Sequence, residues 1–127
     1  MEDMSENGYP LTALQQSMVY RSLLSPNSGL YVQQLEGRLN ETLDVPSFKE
    51  SWRKLLAHCD VLKTHLLPTS TGAYLQEIAA DSRPEWVETD WSGFSKGEQN
   101  EKWRVYLTND RRRGFDFSQA PLIVVIT

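Results

Sequence analysis

The chain has 127 residues, 39% apolar and 24% charged, with a net charge of −4. That suits one small domain or part of a larger one, no run approaches the roughly 20 apolar residues that cross a bilayer, and mild acidity argues against nucleic acid as a partner. A single cysteine, Cys59, leaves no internal disulfide or cysteine-based zinc cluster, and with the acidic, polar start Met1-Glu2-Asp3-Met4-Ser5-Glu6 the expectation is a reducing, cytoplasmic setting.

Residues 1–8 read as a flexible lead. Thr12 and Gln15 have the spacing of a capping box, and Pro10 blocks backward extension of a helix. Leu14 with Met18, and Val19 with Leu23, each lie one turn apart, which predicts a helix over 13–24. Ser25-Pro26-Asn27-Ser28-Gly29 is turn chemistry that stops it. Residues 30–39 alternate as a strand, with Tyr31, Leu35 and Leu39 on one face and Val32, Gln34, Glu36 and Arg38 on the other. Asp44 and Pro46 suit an N-cap and a first helical turn. Val45, Phe48, Trp52, Leu55, Leu56 and Cys59 then mark an amphipathic helix, with Glu50 and Lys54 as an i, i+4 pair on its outer face.

Residues 61–67 and 73–79 predict the two strands of a hairpin around Pro68-Thr69-Ser70-Thr71-Gly72. Residues 86–91 read as a short edge strand. Ser95 and Glu98 form a second capping box, opening a helix over 96–113 with Trp103, Tyr106 and Leu107 inward. Arg111, Arg112 and Arg113 fall in its last turn, where solvated cations suit the dipole, and Gly114 suits the C′ position. Residues 115–121 form an extended connector. The apolar run 122–126 suits a strand buried on both faces, and left uncovered it has the profile of a self-associating segment. This order predicts an α/β chain (α+β, mixed sheet), one sheet with about three packed helices.

Several of these stretches resemble one family. Tyr9-Pro10-Leu11-Thr12-Ala13-Leu14-Gln15-Gln16-Ser17-Met18 is similar to the opening motif of nonribosomal peptide synthetase condensation domains, in which a Ser or Thr starts the helix, a Gln follows three residues on, and a Met or Leu three further; Thr12, Gln15 and Met18 fit. Ala57-His58-Cys59-Asp60-Val61-Leu62-Lys63-Thr64-His65-Leu66 is similar to the second motif, Arg-His-x-x-Leu-Arg-Thr-x-Phe. With one extra apolar residue, His58, Leu62 and Thr64 keep the pattern, while Ala57 and Lys63 stand where the family has arginines. Trp52, Ser28-Gly29-Leu30-Tyr31, Asp90-Trp91-Ser92 and residues 110–122 are similar too, so the likeness runs over 9–127.

The resemblance implies a chloramphenicol-acetyltransferase-like fold of two lobes facing across a tunnel. Carrier proteins deliver thioesters on phosphopantetheine arms, and the acceptor amine attacks the donor thioester to form a peptide bond. The family's active-site motif, His-His-x-x-x-Asp-Gly, is missing: the only histidines are His58 and His65. In the family that motif comes shortly after a strand like 122–126. The expectation is therefore the N-terminal portion of the first lobe, residues 9–127, truncated before the motif and inactive by itself. It would have no catalytic residue, metal or directly bound cofactor. Its partners would be carrier proteins and the remainder of the domain, with no nucleic acid and no membrane. The alternative is a non-catalytic carrier- or partner-binding module derived from such a domain.

On this reading Thr12, Gln15, Met18, His58, Leu62, Lys63 and Thr64 are structural or tunnel-lining. Lys63 keeps the charge of the family arginine without its planar fork, and Ala57 keeps neither. Taken without the resemblance, His58 and His65 are structural histidines and Cys59 a buried inert thiol. Trp52 and Trp103 are core anchors, and Trp86 and Trp91 belong either to the core or to a partner surface.

Overall fold

The computed structural model describes residues 7–121 and, as backbone, 124–126. Three helices are present: α1 (Ala13–Leu24), α2 (Val45–His58) and α3 (Lys96–Arg113). The strands are β1 (Tyr9–Pro10), β2 (Thr64–Pro68), β3 (Tyr74–Ile78), β4 (Glu85–Val87) and β5 (Val124–Ile126). They form an antiparallel sheet in the order β1-β3-β2 and a separate parallel pair β4-β5, where the sequence suggested one sheet. No helix among the described residues is long and apolar enough to cross a membrane.

Local chemistry sets the helix boundaries as expected. Thr12 Oγ accepts from the Gln15 N–H while the Gln15 side chain accepts from the Thr12 N–H, closing the capping box. Ser95 and Glu98 repeat this at α3. Asp44 caps α2 through the Ser47 N–H at 3.2 Å. Gly114 ends α3 at φ 60°, its N–H donating to Asp110 O, a conformation that glycine adopts without a Cβ penalty.

Hydrogen bonds also hold several carboxyls below their ordinary range. The main causes are the Ser47 backbone for Asp44 and the Ser95 backbone for Glu98, the Ser92 and Ser118 side chains for Asp90 and Asp116, and the Arg53 and Arg104 side chains for Glu50 and Glu101. A group whose folded value is depressed stabilises the fold above its unfolded value, and that stability is lost as pH falls through the folded value. The urea midpoint should therefore hold steady in the neutral range. It should fall once pH drops below the ordinary values of 4.5 for Glu and 3.8 for Asp. A midpoint that rises on acidification would show that these bonds do not persist in solution.

The expected strand over 30–39 does not form. Gly29 and Tyr31 take φ 73° and 62°, and the Val32 N–H closes a turn on Gly29 O. Beyond that turn residues 32–36 are tied to α3 by side chains instead of a backbone ladder. Arg111 donates to Val32 O (3.3 Å) and to Gln34 Oε1 (3.2 Å). The Gln34 amide donates to Leu107 O and Asp110 Oδ2, each at 3.0 Å, and Trp103 Nε1 donates to Glu36. The alternation is present, but its polar face is the attached one: Leu35 is 102% exposed, and Tyr31 and Leu39 are exposed as well.

Smaller departures have equally local causes. Residues Asp60–Lys63 form a 3-10 turn, so the hairpin strand begins at Thr64 and not at 61. Glu50 pairs with Arg53 in a two-toothed contact at 2.6 and 2.8 Å instead of with Lys54, since the guanidinium fork matches a carboxylate. The edge strand is Glu85–Val87, shorter than 86–91 and paired in parallel to β5. The connector 115–121 bends, with the Gln119 N–H donating to Asp116 O. Tyr9–Pro10, just after the expected flexible lead, is a short strand paired with β3. Residues 1–6 of that lead, and residues 122, 123 and the side chains of 124–126 in the apolar run, lie outside the described residues.

The core is small. Leu11, Val19 and Leu56 are the buried apolar residues among those described. Trp52, Trp103, Tyr106 and Leu107 are half-buried, and Leu55 is exposed.

Candidate functional site

The expected site positions fall into two clusters. The first is centred on Gln76, in the middle of β3 and only 8% exposed. Its amide donates to Pro10 O (3.0 Å) and to Gln15 Oε1 (3.2 Å), and accepts from the Gln15 amide (3.2 Å). Gln15 Oε1 also accepts from the Thr12 N–H at 2.8 Å. Gln15 is thus a cap residue and a tertiary tie at once, fixing the start of α1 to the central strand. Met18, half-buried, follows one turn later on the same face. Sequence reasoning found Gln15 and missed Gln76; the signal was a lone amide between Tyr74 and Ile78 on one face of the strand.

Replacing Gln76 with Met keeps the volume and removes the amide, leaving Pro10 O and the Gln15 amide short of partners. The expected cost is about 1–3 kcal/mol, the usual penalty for stranding buried polar groups, read from a urea melt. No change would place water at the cluster.

The second cluster closes the 3-10 turn after α2. Lys63 is 8% exposed, and its Nζ lies 3.1 Å from Asp60 Oδ1. Its carbonyl accepts from the Ala79 N–H, and Thr64 Oγ donates to Asp60 O. Leu62 is half-buried, its N–H on Cys59 O. The Lys63 charge is therefore engaged within its own turn. His58 stands apart: it is exposed at the end of α2, and its Nδ1 donates to Lys54 O at 2.8 Å. His65 faces Glu77 across the hairpin, but Nε2 to Oε1 is 4.0 Å, beyond hydrogen-bond reach.

Strand alternation places Thr64 and Leu66 of β2 on the same hairpin face as Gln76. Along that face, past Ser22 of α1, opens a cavity of about 490 Å³ lined by Leu66, Tyr74, Phe115, Phe117 and Arg112. Two of the three arginines expected to be solvated are tertiary ties instead: Arg111 holds 32–34, and Arg113 pairs with Glu85 (3.3 Å) and Asp110 (3.1 Å). Trp86 packs edge-on to Phe48 and Trp91 edge-on to Trp103, so both belong to internal aromatic contacts. No group of three or more potential metal ligands occurs among the described residues. Amides and a paired lysine can orient a segment or a ligand; they supply no strong base or nucleophile.

The condensation-domain family model matches residues 5–126. A linear gramicidin synthase polypeptide of Brevibacillus parabrevis is 35% identical over 118 residues, which are 93% of this chain and 2% of that protein. A plipastatin synthase polypeptide of Bacillus subtilis (strain 168) is 30% identical over 119 residues, 91% of this chain and 5% of that one. The chain thus spans a few hundredths of the length of these relatives. Among solved structures, a mutant starter condensation domain of rhizomide synthetase, in complex with C8-CoA, has a TM-score of 0.63. The match covers 91% of this chain and 26% of that one at 17% identity, a likeness of fold.

Proposed function

The chain belongs to the condensation-domain family, and from that premise we propose that residues 9–127 are the opening portion of the first lobe of a domain that joins carrier-bound aminoacyl or peptidyl thioesters into amides. In that setting Thr12, Gln15 and Met18 set the inner face of α1 against the hairpin, and Lys63 and Thr64 brace the turn beneath it. The acid–base chemistry belongs to a His-His-x-x-x-Asp-Gly segment that this sequence does not contain. Its partners are carrier proteins, which bring the phosphopantetheine arm with them, and the rest of the domain.

The observation that carries this reading is the uncovered surface. Leu14, Tyr20, Leu23 and Leu24 of α1 are all more than half exposed, and an apolar face of that kind marks an interaction surface, which is what a lobe lacking its neighbours presents.

Given donor and acceptor carriers loaded with aminoacyl thioesters, the chain alone should form no amide, because the group that orients the amine and half of the enclosing walls are absent. Product above the no-enzyme background in intact-protein mass spectrometry would overturn the proposal.

A further inference from the structure

We propose that the cavity at the turn end of the hairpin, beside the C-terminus of α1, is a binding site for an aromatic carboxylate. Its volume of about 490 Å³ is that of a small-molecule pocket. Among the described residues it is lined by neither Gln76 nor Lys63, so it lies apart from the two clusters above. Aromatic side chains reach it from three places: Tyr31 from the turn after α1, Tyr74 from β3, and Phe115 and Phe117 from the connector after α3. Its floor is already built. The Leu66 N–H donates to Phe117 O at 2.6 Å, and Tyr74 stands edge-on to Phe117 with ring centres 6.5 Å apart. An aromatic ring meets such walls edge to face, a gain beyond the area it buries.

Strain and charge both point to a ligand. Tyr31 takes φ 62°, a left-handed conformation that a bulky side chain seldom adopts and that persists where the surroundings impose it, as at ligand clamps. Here the Val32 N–H bond to Gly29 O and the Arg111 bond to Val32 O impose it. The result is an aromatic wall on the cavity. The charge comes from the end of α3. The lining holds two guanidiniums, Arg112 and Arg113, against one carboxylate, Asp116. Arg113 is engaged by Glu85 and Asp110, and Asp116 by the N–H and hydroxyl of Ser118. Arg112 is exposed and has no ion pair among the described residues. A guanidinium left free beside an aromatic cavity suits a carboxylate, which its planar fork can hold through two hydrogen bonds.

Hydrocinnamate is the probe, with hydrocinnamyl alcohol as its uncharged counterpart and hexanoate as its ringless one, each titrated into the full chain by calorimetry. Hydrocinnamate should bind at a single site, about tenfold more tightly than either of the others. Arg112→Gln should remove the preference for the acid and leave the affinity for the alcohol unchanged. Tyr31→Gly puts at φ 62° a residue that takes it without a Cβ penalty, so the fold should be kept while affinity for the acid falls about tenfold. Near-ultraviolet circular dichroism of each variant confirms that the fold is retained. If Tyr31→Gly fails to fold, Tyr31→Asn, which also tolerates this conformation, takes its place. The absence of saturable hydrocinnamate binding would overturn the proposal. So would equal affinity for all three probes, which marks unspecific apolar contact, or an affinity for the acid that either variant leaves unchanged, which puts the binding elsewhere on the chain.

Discussion

Leu56→Ala should lower the stability of this chain by about 3 kcal/mol, within the range of about 2–5 for a buried leucine, seen as a shift of the urea midpoint at constant slope. Leu56 is the fully enclosed side chain of the core, 1% exposed, and sits on the inner face of α2. Leu11 and Val19 join it as the buried aliphatic side chains among the described residues. So small a core has few neighbours able to collapse into the space, and the cavity term should be close to its full size. Trp52 on the same helix is half-buried, so Trp52→Ala should cost less than Leu56→Ala, although sequence position alone ranks the larger side chain first. A loss under about 1 kcal/mol for Leu56→Ala would show that the inner face of α2 is misassigned.

Gly29→Ala should be nearly as damaging, at about 2–3 kcal/mol, for a different reason. Gly29 sits at φ 73°, and a Cβ there would stand 2.2 Å from Arg111 Cγ and 2.8 Å from its Cδ. The added methyl meets a strained backbone conformation and the stem of the side chain that ties residues 32–34 to α3. Moving that stem breaks the bonds to Val32 O and Gln34. Arg111→Ala removes the obstacle along with the tie, so the double variant should be less destabilised than the sum of the two singles. That non-additivity, measured as a double-mutant cycle, separates the clash from the backbone strain. Strict additivity would mean that the two residues do not touch.

The helices were legible because their signals are local. Both capping boxes, the Asp44 cap and Gly114 act within four residues, so 13–24 and 96–113 match the folded boundaries. The hairpin was legible for the same reason, its turn lying between two alternating runs. Residues 30–39 were misread because alternation gives two faces without saying which is attached. The attachment comes from Arg111, Asp110 and Trp103, some seventy positions away. Gln76 was missed because its partners, Gln15 and Pro10, come from the far end of the chain. Among the family positions, Thr12 and Gln15 proved to be bonded to each other. His58 stayed apart, since the end of α2 turns it back onto its own helix.

The central claim is that this chain supplies the first part of a condensation lobe whose chemistry lies beyond its own residues. The most direct test joins residues 9–127 in one polypeptide to the remaining portion of a condensation domain, such as that of the similar linear gramicidin synthase. Amide formation between the two loaded carriers is then read by mass spectrometry. The account predicts product from the joined protein, and none from the same protein with the second histidine of the supplied motif replaced by Ala. A joined protein that folds and binds both carriers yet forms no amide would contradict it.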